Sequence, residues 1–135
     1  MKLLAYEVDK RSFLGVLNED ETWVYPVSAA GMEYRSMKDL IREAGPSEME
    51  MLDYISKKAP GDVMGAAPVD EIRVVSPIAE PDQDIICLGI NYMDHAEESA
   101  RFEKRAFEKP EKAIYFSKRV NRTNDPDGII PAHKN

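Results

Sequence analysis

The sequence predicts an α+β fold, and three observations carry that expectation. Residues 2–27 hold three short β-rich runs joined by polar turns. Residues 36–59 hold two segments with helix-capping residues and helical apolar spacing. Residues 85–89 and 113–117 are continuous apolar runs of strand length.

The first run, Leu3-Leu4-Ala5-Tyr6-Glu7-Val8, alternates, with Leu4, Tyr6 and Val8 on one face and Leu3, Ala5 and Glu7 on the other. Asp9-Lys10-Arg11-Ser12 turns the chain into Phe13-Leu14-Gly15-Val16-Leu17, and Asn18-Glu19-Asp20-Glu21 turns it again into Thr22-Trp23-Val24-Tyr25-Pro26-Val27. This reads as an antiparallel meander in which Pro26, lacking an N–H, marks a strand end or an edge. Ser36, with Asp39 three residues on, opens a helix that Gly45-Pro46 closes. Ser47 opens a second, with Glu50 at the capping-box position, an apolar stripe of Met51, Leu52, Ile55 and Ala59, and a stop at Pro60-Gly61. The methionines are expected to fill core space. Residues 60–71, with Pro60, Gly61, Gly65 and Pro68, read as a linker, and Ile72-Arg73-Val74-Val75 as a short strand. Pro77 and Pro81 flank an extended connector into Ile85-Ile86-Cys87-Leu88-Gly89. A charged helix is expected up to about Phe107, then a strand at Ala113–Ser117 and a tight turn at Asn124-Asp125-Pro126-Asp127-Gly128. The domain boundary falls between residues 1–75 and 76–135.

At 135 residues with 43% hydrophobic and 32% charged side chains, the composition is that of a globular domain. A net charge of −7 excludes a general nucleic-acid binder, which needs a basic face. Lysines and arginines gather late, but Glu103, Glu108 and Glu111 interleave with the first of them, which describes a solvated mixed-charge face. No apolar run approaches the ~20 residues that span a bilayer. The N-terminus is not a signal peptide, and one cysteine, Cys87, excludes an intrachain disulfide framework and a multi-cysteine zinc site. The expected location is cytoplasmic.

Chemistry is expected where the run Ile85–Gly89 breaks and the chain turns into Asn91-Tyr92-Met93-Asp94-His95-Ala96-Glu97-Glu98. His95 and Glu98 are three apart and share one face of a helix. A carboxylate accepting from one ring nitrogen fixes the tautomer and frees the other nitrogen to take a proton. The same spacing also describes an ordinary surface His beside a surface Glu. Asp94 reads as a helix-start acid rather than a metal ligand. Glu48-Met49-Glu50 lies at a helix start and Glu19-Asp20-Glu21 in a turn, so neither presents its pair on a strand face, and no metal ligand is assigned. Lys118 ends a strand, where an ammonium can meet a carboxylate or enolate oxygen.

These residues together resemble the fumarylacetoacetate hydrolase family. The resemblance rests on Ile86-Cys87-Leu88-Gly89-Ile90-Asn91-Tyr92 followed by Asp94-His95-Ala96-Glu97-Glu98. It extends to Phe116-Ser117-Lys118, Asp125-Pro126-Asp127-Gly128 and Ile129-Ile130-Pro131, and to an N-terminal lobe like that of many bacterial members. Arg119 stands where the family usually has a proline after the lysine. The resemblance implies that residues 76–135 begin a mixed, β-rich catalytic domain that is incomplete here. It implies an enzyme that hydrolyses, decarboxylates or isomerises small 2-oxo or β-diketo acids with Mg²⁺ or Mn²⁺, usually as a homodimer. His95 would be the base and Glu98 its orienting partner, with Asn91, Tyr92 and Lys118 binding substrate. The family holds its metal by a Glu-x-Glu strand and a later Asp, all downstream of the His helix. Nothing fitting follows His95 before Asn135, so the chain is expected to be truncated ahead of its cation ligands. The alternative expectation is a metal-free binding or assembly module, or an inactive fragment, that keeps the His–Glu pair as a relic.

Overall fold

A computed structural model of the chain describes residues 1–89, 98, 101 and 112–132. These fall into two compact units, Met1–Ala79 with Thr123–Asn135, and Glu80–Arg122. The first unit is α+β, as the sequence predicts. Its strands β1 (Leu3–Val8), β2 (Arg11–Leu17), β3 (Trp23–Pro26), β4 (Ala67–Pro68) and β5 (Arg73–Val75) form one curled antiparallel sheet in the order β4-β3-β2-β1-β5. Helices α1 (Met37–Glu43) and α2 (Pro46–Ser56) follow the meander.

The turns follow from local chemistry. Asp9 and Lys10 both take positive φ, 50° and 63°, the two-residue hairpin geometry whose twist matches the strands it joins. The next turn is organised by Asn18, whose Oδ1 accepts from the Thr22 and Trp23 N–H groups at 3.0 and 2.9 Å. Pro26 ends β3 opposite Gly15, where its missing N–H costs no further ladder bond. Gly15 is required by its neighbours. A Cβ there would collide with Val24 and lie 2.8 Å from the Tyr6 ring, so β1, β2 and β3 close on one another only because that position is bare.

On the sheet's other face, Val16 and Tyr25, directly paired, pack with Val27, Met37, Leu40, Leu52, Ile55 and Val63 in one buried cluster. Tyr25 is fully buried, and its hydroxyl is satisfied by the Lys58 carbonyl at 2.7 Å. Ser36 caps α1 as expected, its Oγ accepting from the Asp39 N–H at 3.2 Å.

The second helix departs from expectation at both ends. It starts at Pro46 with Gly45 as its cap residue, and Glu48, not Glu50, reaches back to the Gly45 N–H at 2.7 Å. Proline supplies a helical φ at a position with no intrahelical partner for its nitrogen, so Gly45-Pro46 opens α2 as well as ending α1. The buried stripe is therefore Leu52, Ile55 and Ser56, with Met49 partly buried, while Met51 and Ala59 face solvent. The methionines divide accordingly: Met37 is buried in the core and Met64 is 87% exposed. Residues 60–71 are not a free linker. Val63 is in the core, and Ala67–Pro68 pairs with Val24 and Trp23 to extend the sheet.

In the second unit, β6 (Ile85–Gly89) and β7 (Ile114–Lys118) form an antiparallel ribbon. The expected turn at Asp125–Gly128, in the first unit, is present, closed by the Gly128 N–H to the Asp125 carbonyl at 2.9 Å. No helix among the described residues is long and apolar enough to cross a membrane.

Candidate functional site

The expected strands both form, and their ladder fixes how the candidate residues relate. Rungs run from Ile85 opposite Lys118 to Gly89 opposite Ile114. Gly89, the last described residue before the candidate base in sequence, is therefore at one end of the ribbon. Lys118 is at the other, four residue steps or about 13 Å away along the strand. Lys118 shares a face with Phe116, two residues back, and its Nζ sits 5.9 Å from that ring's centroid. Glu98 is helical and exposed. Asn91, Tyr92 and His95, and with them the expected His95–Glu98 pairing, lie outside the described residues.

The ribbon has an unusual surface for a strand pair. Ile85, Cys87, Ile114 and Phe116 lie on one face and Ile86, Leu88 and Tyr115 on the other. Ile86 is 74% exposed and Tyr115 68%. The charge around it is divided by strand. Residues 112–122 carry Lys112, Lys118, Arg119 and Arg122 with no acidic residue, whereas residues 80–84 carry Glu80, Asp82 and Asp84. A small anion approaching a chain of net charge −7 gains from such a local cationic stretch.

Among the described residues, no three His, Cys, Asp or Glu side chains come together as a cation site. They therefore provide no donor set for the Mg²⁺ or Mn²⁺ that the family resemblance implies, and no step below passes through a metal. The first unit has a shallow surface groove beside Leu17, Asn18 and Ser56. Two ion pairs cross it: Lys57 meets Asp53 at 2.6 Å, holding that carboxyl below the usual range, and Lys2 pairs with Glu21. Glu19 and Met1 line the same groove.

One constellation carries no local sequence motif. Arg73 on β5 binds Glu7 of β1 at 2.7 Å and also the Asp125 carboxylate, while Ser76, Thr123 and Asp125 are hydrogen-bonded together. The only sequence signal for it was the Asp125-Pro126-Asp127-Gly128 turn; the partners lie about fifty residues upstream.

No protein-family model matches the chain. It is 26% identical over 144 aligned residues to oxaloacetate tautomerase YisK of Bacillus subtilis (strain 168). The similarity covers 99% of this chain and 46% of that protein, so the chain spans about half the length of the curated relative it matches. The chain is thus distantly similar to an enzyme that acts on a small oxo-acid. That likeness extends through both the meander lobe and the ribbon.

Proposed function

We propose that this chain forms part of an enzyme that interconverts the keto and enol forms of a small 2-oxo dicarboxylic acid, with oxaloacetate as the first substrate to test. The observation that carries the reading is the end-to-end similarity to an oxaloacetate tautomerase. The resemblance of Gly89–Glu98 to the fumarylacetoacetate hydrolase family points the same way. In the proposed step neutral His95 takes the proton from the carbon beside the carbonyl. The C–H electron pair becomes the enol double bond, and the carbonyl oxygen takes up a proton. Glu98 holds the imidazole in the required tautomer. Asn91 and Tyr92 position the substrate. Lys118 would serve a substrate carboxylate. The reading is completed by a cytoplasmic homodimer and by dependence on Mg²⁺ or Mn²⁺.

The test follows the enol absorbance of oxaloacetate with and without each cation. His95→Ala should lower kcat/KM by about 10²–10⁴-fold, the usual contribution of a positioned general base. Glu98→Gln should lower it less, and Lys118→Met should raise KM with little change in kcat. Unchanged turnover in His95→Ala removes that residue from the mechanism. A protein of the relative's full length that contains this chain and turns over neither oxaloacetate nor an acylpyruvate, with or without cation, overturns the enzymatic reading.

A second reading, a metal-free binding or assembly module, is favoured by the apolar side chains on both ribbon faces. Calorimetric titration with Mg²⁺ and Mn²⁺ separates the two, since tight cation binding by this chain contradicts the module.

A further inference from the structure

The chain leaves the first unit after Ala79 and returns to it at Thr123, so both ends of that excursion belong to one folded lobe. Past β5, the last strand of the sheet, Ser76-Pro77-Ile78-Ala79 lies outside the five strands. Pro77 has no N–H to give to a ladder. The backbone of this stretch bonds instead to the returning residues. The Ser76 N–H donates to one Asp125 carboxylate oxygen at 2.9 Å. The Thr123 hydroxyl donates to the Ile78 carbonyl and the Thr123 N–H to the Ala79 carbonyl, each at 2.8 Å. The other Asp125 oxygen accepts from Arg73, which also pairs with Glu7 across the β1–β5 ladder.

The returning segment is braced within itself. The Gly128 N–H closes its turn on the Asp125 carbonyl, and the Asn124 side-chain amide donates to the Ile129 carbonyl at 3.3 Å. Gly128 lies so close to Asn124 that any Cβ there would collide with the side-chain amide. Asn124–Ile129 is therefore held as one piece.

What the segment lacks is apolar burial. The lobe's hydrophobic cluster takes its buried members from Val16 to Val63, and its partly buried ones no further along the chain than Ile78. Among residues 123–132, Thr123, Asp125 and Gly128 are half-buried and the rest are exposed, Ile129 at 89% and Ile130 at 86%. Polar bonds near solvent contribute little net stability, because water replaces them when they break. Core burial ties the strands and helices to global unfolding, and nothing comparable ties this segment.

We propose that Thr123–Ile129 is a latch, which docks on Arg73, Ser76, Ile78 and Ala79 as one unit and releases as one unit while the lobe's core stays folded. Closed, it satisfies the backbone of 76–79 and shares Arg73 between two carboxylates. Open, it leaves Arg73 to Glu7 and gives the freed backbone groups to water. The latch stands on these bonds and is independent of the function proposed above.

Native-state amide hydrogen exchange in the full chain, read by nuclear magnetic resonance, tests it without substrate. The Ser76 and Thr123 N–H groups should share one opening, with protections within about tenfold of each other. Both should lie at least about a hundredfold below the most protected amides of the β1–β2 ladder. A wider spread between the two, or a smaller gap to the ladder, overturns the latch. Asp125→Asn keeps an acceptor for Ser76 but loses the charge that meets Arg73. It should lower both protections together by about tenfold and leave the ladder unchanged. Gly128→Ala breaks the brace without touching either amide and should also lower both. An Asp125→Asn chain with both amides unchanged overturns the proposal, as does a Gly128→Ala chain with both unchanged. Equal loss at the ladder in Asp125→Asn also overturns it, since these bonds would then be part of the lobe's general stability.

Discussion

Tyr25 and Tyr115 both lie on strands of antiparallel pairs, yet Tyr25 is fully buried and Tyr115 is 68% exposed. The lobe around Tyr25 has helices over one sheet face, and among the described residues no buried side-chain polar atom lacks a partner. The ribbon around Tyr115 has apolar side chains on both faces and, among the described residues, none of them is buried. The same residue type therefore contributes differently in each. In the lobe it adds burial and a satisfied hydroxyl; in the ribbon it adds surface that remains to be covered.

The sharpest way to break this comparison is to truncate one leucine in each region. Leu52 has no exposed surface, and Leu52→Ala should cost about 2–5 kcal/mol in urea unfolding followed by far-ultraviolet dichroism. Leu88 is 39% exposed, and Leu88→Ala should cost under about 1 kcal/mol in the same experiment. Equal losses would mean that the ribbon is as well packed as the lobe. Next in size is Gly15→Ala, where the new methyl meets Val24 and Tyr6 inside the sheet; overpacking of this kind costs about 1–3 kcal/mol. Gly89→Ala, whose Cβ would be no closer than 3.5 Å to Ile114, should be tolerated far better by the same measure.

The smallest effect concerns polar satisfaction within the lobe. The Tyr34 hydroxyl donates to Glu48 at 2.6 Å, and this bond pushes the phenol up to about 12. The same bond, with the Gly45 N–H second, holds the Glu48 carboxyl below its ordinary value. A lowered carboxyl adds stability above the unfolded glutamate value of about 4.3, and that stability is lost as pH falls through the folded value. A raised phenol adds stability below about 10, lost as pH climbs from there toward the folded value. Tyr34→Phe should therefore flatten both the acid and the alkaline limbs of the melting-temperature profile. Glu48→Gln removes the carboxyl's acid limb outright and, by taking away the charge that raises the phenol, weakens the alkaline limb too. Unchanged limbs in Tyr34→Phe would show that the bond does not persist in solution.

Much of the lobe was legible in the sequence because its signals are local. Alternation marked β1, polar turns separated the strands, and Ser36 with Asp39 marked the first helix. The second helix was misplaced because Gly45-Pro46 is a stop when read from one side and a start when read from the other. Residues 60–71 read as a linker because Pro and Gly conceal a two-residue strand whose only evidence is its partner, Trp23–Val24. The ribbon's two strands were legible as apolar runs. Their consequence for the site was not: only the ladder shows Lys118 at the end opposite Gly89.

The sequence alone determined the α+β class, the meander, and the candidate pair His95 and Glu98, since strand alternation, capping chemistry and motif spacing act over a few residues. Only the tertiary structure decided that Asp125 and Thr123 return to grip Arg73, Ser76 and Ala79. Those bonds join groups about fifty residues apart, and no local preference encodes a partner at that distance. The ribbon's register belongs with them, because it pairs residues 85–89 with 114–118, too far apart in sequence for local preferences to set.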